Sequence, residues 1–465
     1  MNGLLSRLLA LAAALCLTAC VPDKKPLPPE ASIQPPATWH AASAPASTVK
    51  SDWWRVFNDP QLTQLVETAL EHNTDVLAAI ARVDAAREQI TLARSAFFPS
   101  VNASVGTQTS RSLGTFGITH TRSVQPELQV AYELDVWGRL RNLEQAARLQ
   151  YQASQTDRDA VRLTVASTTA RAYITLLSLD AQLKITRETA DSRFGALKVA
   201  EDRAGEGYTS QLELTQAQSE YEAAMQMIPQ LQQAIRQQEN TIQVLTGALP
   251  DQVKRGRPLQ DLQPPPVPGV LPSELLRRRP DVARAEHQLA ASDLSLEARR
   301  DEFLPQVQLS GSVGRLYVNS LNYDPVKIWD LGASVLAPLF TAGRLEAQVN
   351  IATAQRDQTA YAYRAAALNA FADVENALSG VTFYGEQITH IQARRQTLAR
   401  SLEIARDRYR SGYSSYLEEL DAQRNLFNTD LAALQVRESQ LNNVISLYQA
   451  LGGGWTPGMN DPKTN

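Results

Sequence analysis

The chain has 465 residues, with 45 Lys and Arg against 49 Asp and Glu, and a formal net charge of −4. No basic stripe or RNA-binding signature is present, which argues against nucleic acid as a partner. The two cysteines are Cys16 and Cys20, and the five histidines (40, 72, 120, 287, 390) are scattered without paired ligand spacing, so no disulfide, Cys-ligated metal, cofactor or enzymatic nucleophile is expected.

The first twenty residues read as a secretion signal: Arg7, an apolar run from Leu8 to Leu17, then Leu17-Thr18-Ala19-Cys20. A small residue before Cys20 fits cleavage there and lipidation of its thiol, so the covalent lipid would be the chain's one non-protein group. Each buried methylene of an acyl chain contributes roughly 0.8 kcal/mol, so several chains anchor firmly. After residue 20 no stretch approaches the roughly 18 apolar residues of a membrane-spanning helix. A crossing, if made, must be a closed β-barrel.

Residues 22 to 48 are rich in Pro, Ala and Ser and read as an extended tether. A helical pattern follows from about Pro60 to Ala96, interrupted near His72 to Asp75; its counterpart runs from about Pro272 to Glu302, with Pro280 and Asp281 at a helix start. After Phe97-Phe98-Pro99 and Phe303-Leu304-Pro305 the period changes to two. In Val124 to Val136, Val124, Leu128, Val130, Tyr132, Leu134 and Val136 alternate with Gln125, Glu127, Gln129, Glu133 and Asp135, giving one greasy and one wet face. Each copy therefore carries one hairpin, with long polar turns expected near Ser110 to Thr121 and Leu316 to Lys327. Gly138 to Arg203 and Gly343 to Arg408 are Pro-free helical segments of roughly 100 Å each at about 1.5 Å per residue. Each reverses at a Gly-Tyr turn and returns as a shorter helix with coiled-coil spacing, in which Pro229 is expected to kink or loosen the first.

These landmarks recur. Phe97-Phe98-Pro99, Gly138-Arg139-Leu140 and Gly207-Tyr208-Thr209-Ser210 reappear in order as Phe303-Leu304-Pro305, Gly343-Arg344-Leu345 and Gly412-Tyr413-Ser414-Ser415, so the chain is two copies of one unit. The predicted organisation is a signal peptide (1–19), a lipidated tether (20–52), a first repeat (53–250; β-hairpin about 97–137, helical hairpin 138–247), a Pro-rich linker (251–271), a second repeat (272–455; β-hairpin about 303–341, helical hairpin 343–452) and a tail (456–465). Four strands cannot close a transmembrane barrel, for which about eight is the smallest useful number; three chains would supply twelve.

The chain resembles the outer-membrane efflux factors of the TolC type, in the lipoprotein branch that includes NodT and OprM. The resemblance rests on Leu-Thr-Ala-Cys20, Trp53-Trp54-x-x-Phe57-x-Asp59-Pro60-x-Leu62, Arg278-Arg279-Pro280-Asp281-Val282 with Ala285-Glu286, Phe303-Leu304-Pro305, the paired Gly-Tyr turns, Leu420-Asp421-Ala422-Gln423-Arg424 and Leu451-Gly452-Gly453-Gly454-Trp455. It implies an α+β membrane protein: a homotrimer whose 12-strand outer-membrane β-barrel continues into a periplasmic α-helical barrel. Its tip would dock a periplasmic adaptor bound to an inner-membrane pump of the proton-driven RND type. The chain itself would be a passive duct for small toxic compounds, not an enzyme. A duct for protein or peptide secretion, or a coiled-coil lipoprotein without a conduit, are the alternatives.

By the same resemblance Gly207, Tyr208, Gly412 and Tyr413 are the adaptor-docking tips, although a glycine at a helix end also supplies a left-handed backbone. Leu417 and Asp421, four apart and so on one helical face, would form constricting rings in the closed periplasmic gate, with Arg424 as a candidate ion-pair partner. The first repeat has Gln216 where Asp421 would align, so one acidic ring is expected. Trp137 and Trp329 could mark opposite membrane interfaces. Trp53, Trp54 and Phe57 read as packing residues.

Overall fold

The computed structural model describes residues 21–41, 49–114, 117–269 and 271–458. The predicted signal peptide and lipidation site Cys20 lie outside them. Among the described residues no helix is long and apolar enough to cross a membrane. The elements run α1 (Pro60–His72), α2 (Thr74–Ser95), β1 (Ser100–Gly114), β2 (Gly117–Leu134), α3 (Arg139–Gly205) and α4 (Gln211–Leu245). They then repeat as α5 (Pro272–Arg278), α6 (Pro280–Asp301), β3 (Gln306–Val318), β4 (Val326–Leu336), α7 (Arg344–Arg410) and α8 (Tyr416–Ala450). Two compact units result, to both of which α2, α3, α6 and α7 contribute.

The first unit comprises the start of the described chain to Ile33, Arg82–Gln155 and Arg284–Ala365. Its four strands form one antiparallel sheet in the order β1-β2-β3-β4, so the second repeat's hairpin is added directly to the first's. Register makes the faces continuous. Val101 pairs with Val130, Leu128 with Val313 and Val313 with Trp329, while on the other face Asn102 pairs with Gln129, Gln129 with Ser312 and Ser312 with Asp330. The apolar face is bare within the chain: Val105, Leu128, Val313, Trp329, Leu331 and Val335 are all exposed. The expected long first turn is corrected, since β1 and β2 stay paired as far as Gly114 and Gly117. The second turn is shortened to the residues between Val318 and Val326, including a 3-10 turn at Asn319–Leu321.

The N-terminal stretch is not a loose tether. Arg356, 1% exposed, donates from Nη1 to the Lys25 carbonyl at 2.7 Å and from Nη2 to that of Pro26 at 3.1 Å; Arg300 Nε reaches the Pro22 carbonyl at 3.0 Å. Lys24 pairs with Asp293 and Glu297, each at 2.8 Å. A buried guanidinium must be given acceptors, and the Pro-rich backbone, unable to bond with itself, supplies them. Trp137 lies past the end of β2, half-exposed, and its indole N–H donates to the Pro305 carbonyl at 2.7 Å, tying the loop after β2 to the loop before β3.

The second unit comprises Gln34–Ala81, Thr156–Ala283 and the chain from Ala366. Its core gathers Trp53, Phe57, Leu62, Tyr173, Ile174, Leu176, Ile242, Leu441 and Ile445, with Trp53 stacked on Tyr448 at 5.6 Å. Leu259 and Leu262 of the Pro-rich linker join this core, and the Leu262 and Pro266 carbonyls accept from Arg437 and Tyr448; the linker is thereby fastened onto α8. Pro229 does not end α4, which continues to Leu245 while forgoing one backbone donor.

The duplication is visible in individual bonds. Gln238 Nε2 donates to the Ala172 carbonyl and Asn443 Nδ2 to that of Ala377, both at 2.8 Å. Asn73 Nδ2 donates to the Leu245 carbonyl at 2.9 Å, and Arg279 Nη1 to that of Ala450 at 3.2 Å. Each pair is one contact made twice.

Candidate functional site

The α3–α4 and α7–α8 reversals are the same motif. Gly207 and Gly412 have φ of 74° and 77°, a conformation open to glycine and costly for an L side chain. Gly207 N–H donates to the Ala204 carbonyl and Tyr208 N–H to that of Arg203 at 2.8 Å; Gly412 and Tyr413 repeat this toward Tyr409 and Arg408. These are Schellman closures, which satisfy the last helical carbonyls. A Cβ added at either glycine meets nothing within 4 Å, and Tyr208 and Tyr413 are 83% and 80% exposed. Nothing within the chain's described residues packs against either glycine, and the turn leaves two exposed phenols beside them.

Behind the turns, α3, α4, α7 and α8 converge. Leu197, Ala200, Ala217, Tyr416 and Leu420 form a small apolar cluster. Tyr409 hydroxyl donates to Glu213, which also accepts from Thr209, and the Arg203 guanidinium lies 4.8 Å over the Tyr409 ring. Burial, then the hydrogen bond to Glu213, pushes the Tyr409 hydroxyl up to about 12. It therefore stays a donor; because the folded value is raised, its contribution is whole below the ordinary value of 10 and fades only as pH rises through about 12. Tyr409→Phe is expected to lower unfolding stability by roughly 1–2 kcal/mol at pH 7. Denaturant titration checks this, and the deficit should be constant from pH 7 to 9.

About two turns beyond Glu213, buried Glu220 of α4 serves two arginines. Arg193 of α3 reaches it at 3.1 Å with both side chains under a tenth exposed, and Arg424 of α8 bonds it from the rim. Arg193 also donates to the Glu220 carbonyl at 2.8 Å and lies 5.4 Å over the Phe427 ring. Burial pushes the Arg193 guanidinium down against the pull of Glu220, whereas the hydrogen bond to Glu220 raises Arg424. One carboxylate therefore ties both repeats together.

Of the sequence-predicted residues, Gly207 and Tyr208 sit at one reversal and Gly412 and Tyr413 at the other. Leu417 (54% exposed) and Asp421 lie exposed on one face of α8, with Arg424 three residues on, bonded to Glu220 rather than to Asp421. Sequence reasoning missed Arg193, Glu213, Glu220 and Tyr409. The only available signal was a set of charged or hydroxyl residues beside otherwise apolar heptad positions.

A sheet with a continuous bare apolar face, joined in sequence to paired helical hairpins, defines an outer-membrane channel subunit, and the chain belongs to the outer membrane efflux protein family, matching it over residues 65–248 and 271–453. It is 31% identical over 458 residues to the pyoverdine export outer membrane protein OpmQ of Pseudomonas aeruginosa, covering 96% of each chain. It is likewise 31% identical over 463 residues to the probable outer membrane lipoprotein SilC of Salmonella typhimurium, covering 97% of this chain and 99% of that one. Among solved structures, the outer-membrane channel OprN superposes with a TM-score of 0.83 at 26% identity, covering 94% of this chain and 98% of the other. The protein is the outer-membrane channel component of an efflux system.

Proposed function

We propose that three copies close a twelve-strand barrel in the outer membrane and assemble their helical hairpins into a periplasmic duct, through which small toxic compounds pass from an RND-type inner-membrane pump. The observation that carries this is the sheet: β1 and β4 are unpaired edges in the chain, and the apolar face they bound is bare. Exposed edges and an apolar face of this kind require a partner strand and lipid. A lipid on Cys20, supported by the likeness to a lipoprotein relative, anchors the barrel's rim.

A periplasmic adaptor docks on Gly207, Tyr208, Gly412 and Tyr413, and Leu417 and Asp421 narrow the entrance. Three Asp421 carboxylates converging on an axis would repel one another and favour cations. The duct selects little, because the pump chooses the cargo.

Disulfide trapping between cysteines placed on β1 and β4 is expected to give a covalent trimer on denaturing gels; intrachain or no cross-links would overturn closure by neighbouring copies. Tyr413→Ala is expected to weaken capture of the purified adaptor about ten-fold, the loss of one exposed aromatic anchor. Unchanged capture with Tyr208→Ala and Tyr413→Ala combined would remove the docking assignment. Deleting the gene should sensitise cells to a panel of toxic compounds; loss of peptide export alone would favour a secretion duct.

A further inference from the structure

Charge on the four strands is sorted by face. The strand carboxylates, Glu127, Glu133 and Asp330, lie on the polar face, opposite Ser104, Gln308 and Ser312. The strand cations, Arg111, Arg122, Arg315 and Lys327, lie on the apolar one, and all at one end of it. From the helices toward the hairpin turns, that face runs Val101, Ala103 and Val105 before Arg111 on β1, and Val130, Leu128 and Val124 before Arg122 on β2. On β3 it runs Val307, Leu309 and Val313 before Arg315, and on β4 Val335, Leu331 and Trp329 before Lys327. The apolar band therefore ends in a cationic collar.

Register draws the collar together. Arg315 stands directly opposite Lys327, Arg122 opposite Thr109, and Arg111 opposite His120 on the next rung of the same face. All four side chains are exposed, and none forms an ion pair or a hydrogen bond among the described residues. Like charges directly opposite on a sheet repel, and no strand carboxylate shares this face to offset them. The turn between β3 and β4 adds one acid, Asp324. At the margin of a greasy band, Arg and Lys lay their stems along it and lift their charged heads to headgroup level. A phosphate placed there accepts from a guanidinium fork and an ammonium together, which turns the repulsion into charge-assisted bonds.

We propose that this collar binds the phosphates of an anionic glycolipid in the outer leaflet of the membrane. Arg315 and Lys327 clamp one phosphate, and Arg111 and Arg122 extend the contact along the barrel. The inference rests on the barrel proposed above, because only with the helices on the periplasmic side do the hairpin turns reach that leaflet. In the test, the full chain in detergent is titrated with lipid A, a diphosphorylated glycolipid, or with its dephosphorylated form. Native mass spectrometry then counts chains and bound lipids in the same peak. Three chains are expected, binding lipid A at least ten-fold more tightly than the dephosphorylated form. Replacing all four cations by Gln should weaken lipid A at least ten-fold, to the level of the dephosphorylated form, whereas Asp330→Asn on the other face should change nothing. A trimer that binds both lipids alike, or whose fourfold variant keeps its affinity, overturns the collar and leaves the barrel standing. Displacement of lipid A by equimolar inorganic phosphate would reassign the cations to a soluble anion and overturn the lipid. A monomer throughout overturns both readings.

Discussion

Glu220→Gln is expected to destabilise the helical hairpins by about 3 kcal/mol and to make the proposed periplasmic gate leak. The carboxylate is buried and is the shared counter-charge of Arg193 and Arg424. Breaking a buried pair by removing one partner typically costs about 3–5 kcal/mol, because the other charge is left without compensation. Arg193 is the one that suffers: at 5% exposure it cannot turn to water, while Arg424 at the rim can. The checks are chemical denaturation of the purified channel and uptake of a large antibiotic that the intact outer membrane excludes. The double variant Arg193→Met with Glu220→Leu replaces charge by apolar volume, so it should recover most of the stability yet not the closure, since Arg424 still lacks its anchor. Wild-type stability in Glu220→Gln would refute the central role given to this carboxylate.

Gly452→Ala is expected to abolish stable assembly, whereas Gly412→Ala should be tolerated. Both glycines have positive φ, 84° and 77°, so both substitutions pay the same backbone strain of about 1 kcal/mol. They differ in surroundings. A Cβ at 452 would stand 1.8 Å from the Arg278 carbonyl oxygen, an impossible contact with backbone, while one at 412 meets nothing within 4 Å. The loss at 452 should therefore be on the order of 4 kcal/mol or more, read as failure to recover folded channel from membranes. Gly412→Ala should keep a melting temperature within a few degrees of wild type. Near-equal melting temperatures for the two variants would contradict the packing described.

Most of the fold was legible where the physics repeats at short range. Strand alternation is plain in Val124–Leu134 because one face is bare and apolar and the other polar, and the ordered recurrence of the first repeat's landmarks exposes the second copy. Reading stopped where that contrast weakens: Thr107, Thr109 and Arg111 put polar residues on the otherwise apolar face before Leu113 pairs with Ile118, so the stretch looks like a turn although its backbone ladder continues to Gly114 and Gly117. The pairing of β2 with β3 has no local signature. At the tips the Gly-Tyr turns stood out, while Tyr409–Glu213 and Arg424–Glu220 did not. Those bonds join one copy to the other, and an internal repeat aligns residues with their equivalents, not with their partners. The N-terminal stretch failed for a related reason: its composition forbids regular structure but says nothing of Arg356 waiting for its carbonyls.

The sheet's middle seam also sets an order of events. β1 and β2 are neighbours in sequence and can zip as soon as both emerge, but Leu134 finds Val307 only after both long helices of the first repeat and the linker have been made. Closing so large a loop costs entropy before any rung of the seam returns it, and such non-local pairing is intrinsically slow. During that interval the first hairpin carries a bare apolar face and an open edge through an aqueous compartment. When the second hairpin arrives it closes the β2 edge but leaves Val101, Val105, Leu128 and Val130 bare, so the edge is satisfied within the chain and the face is not.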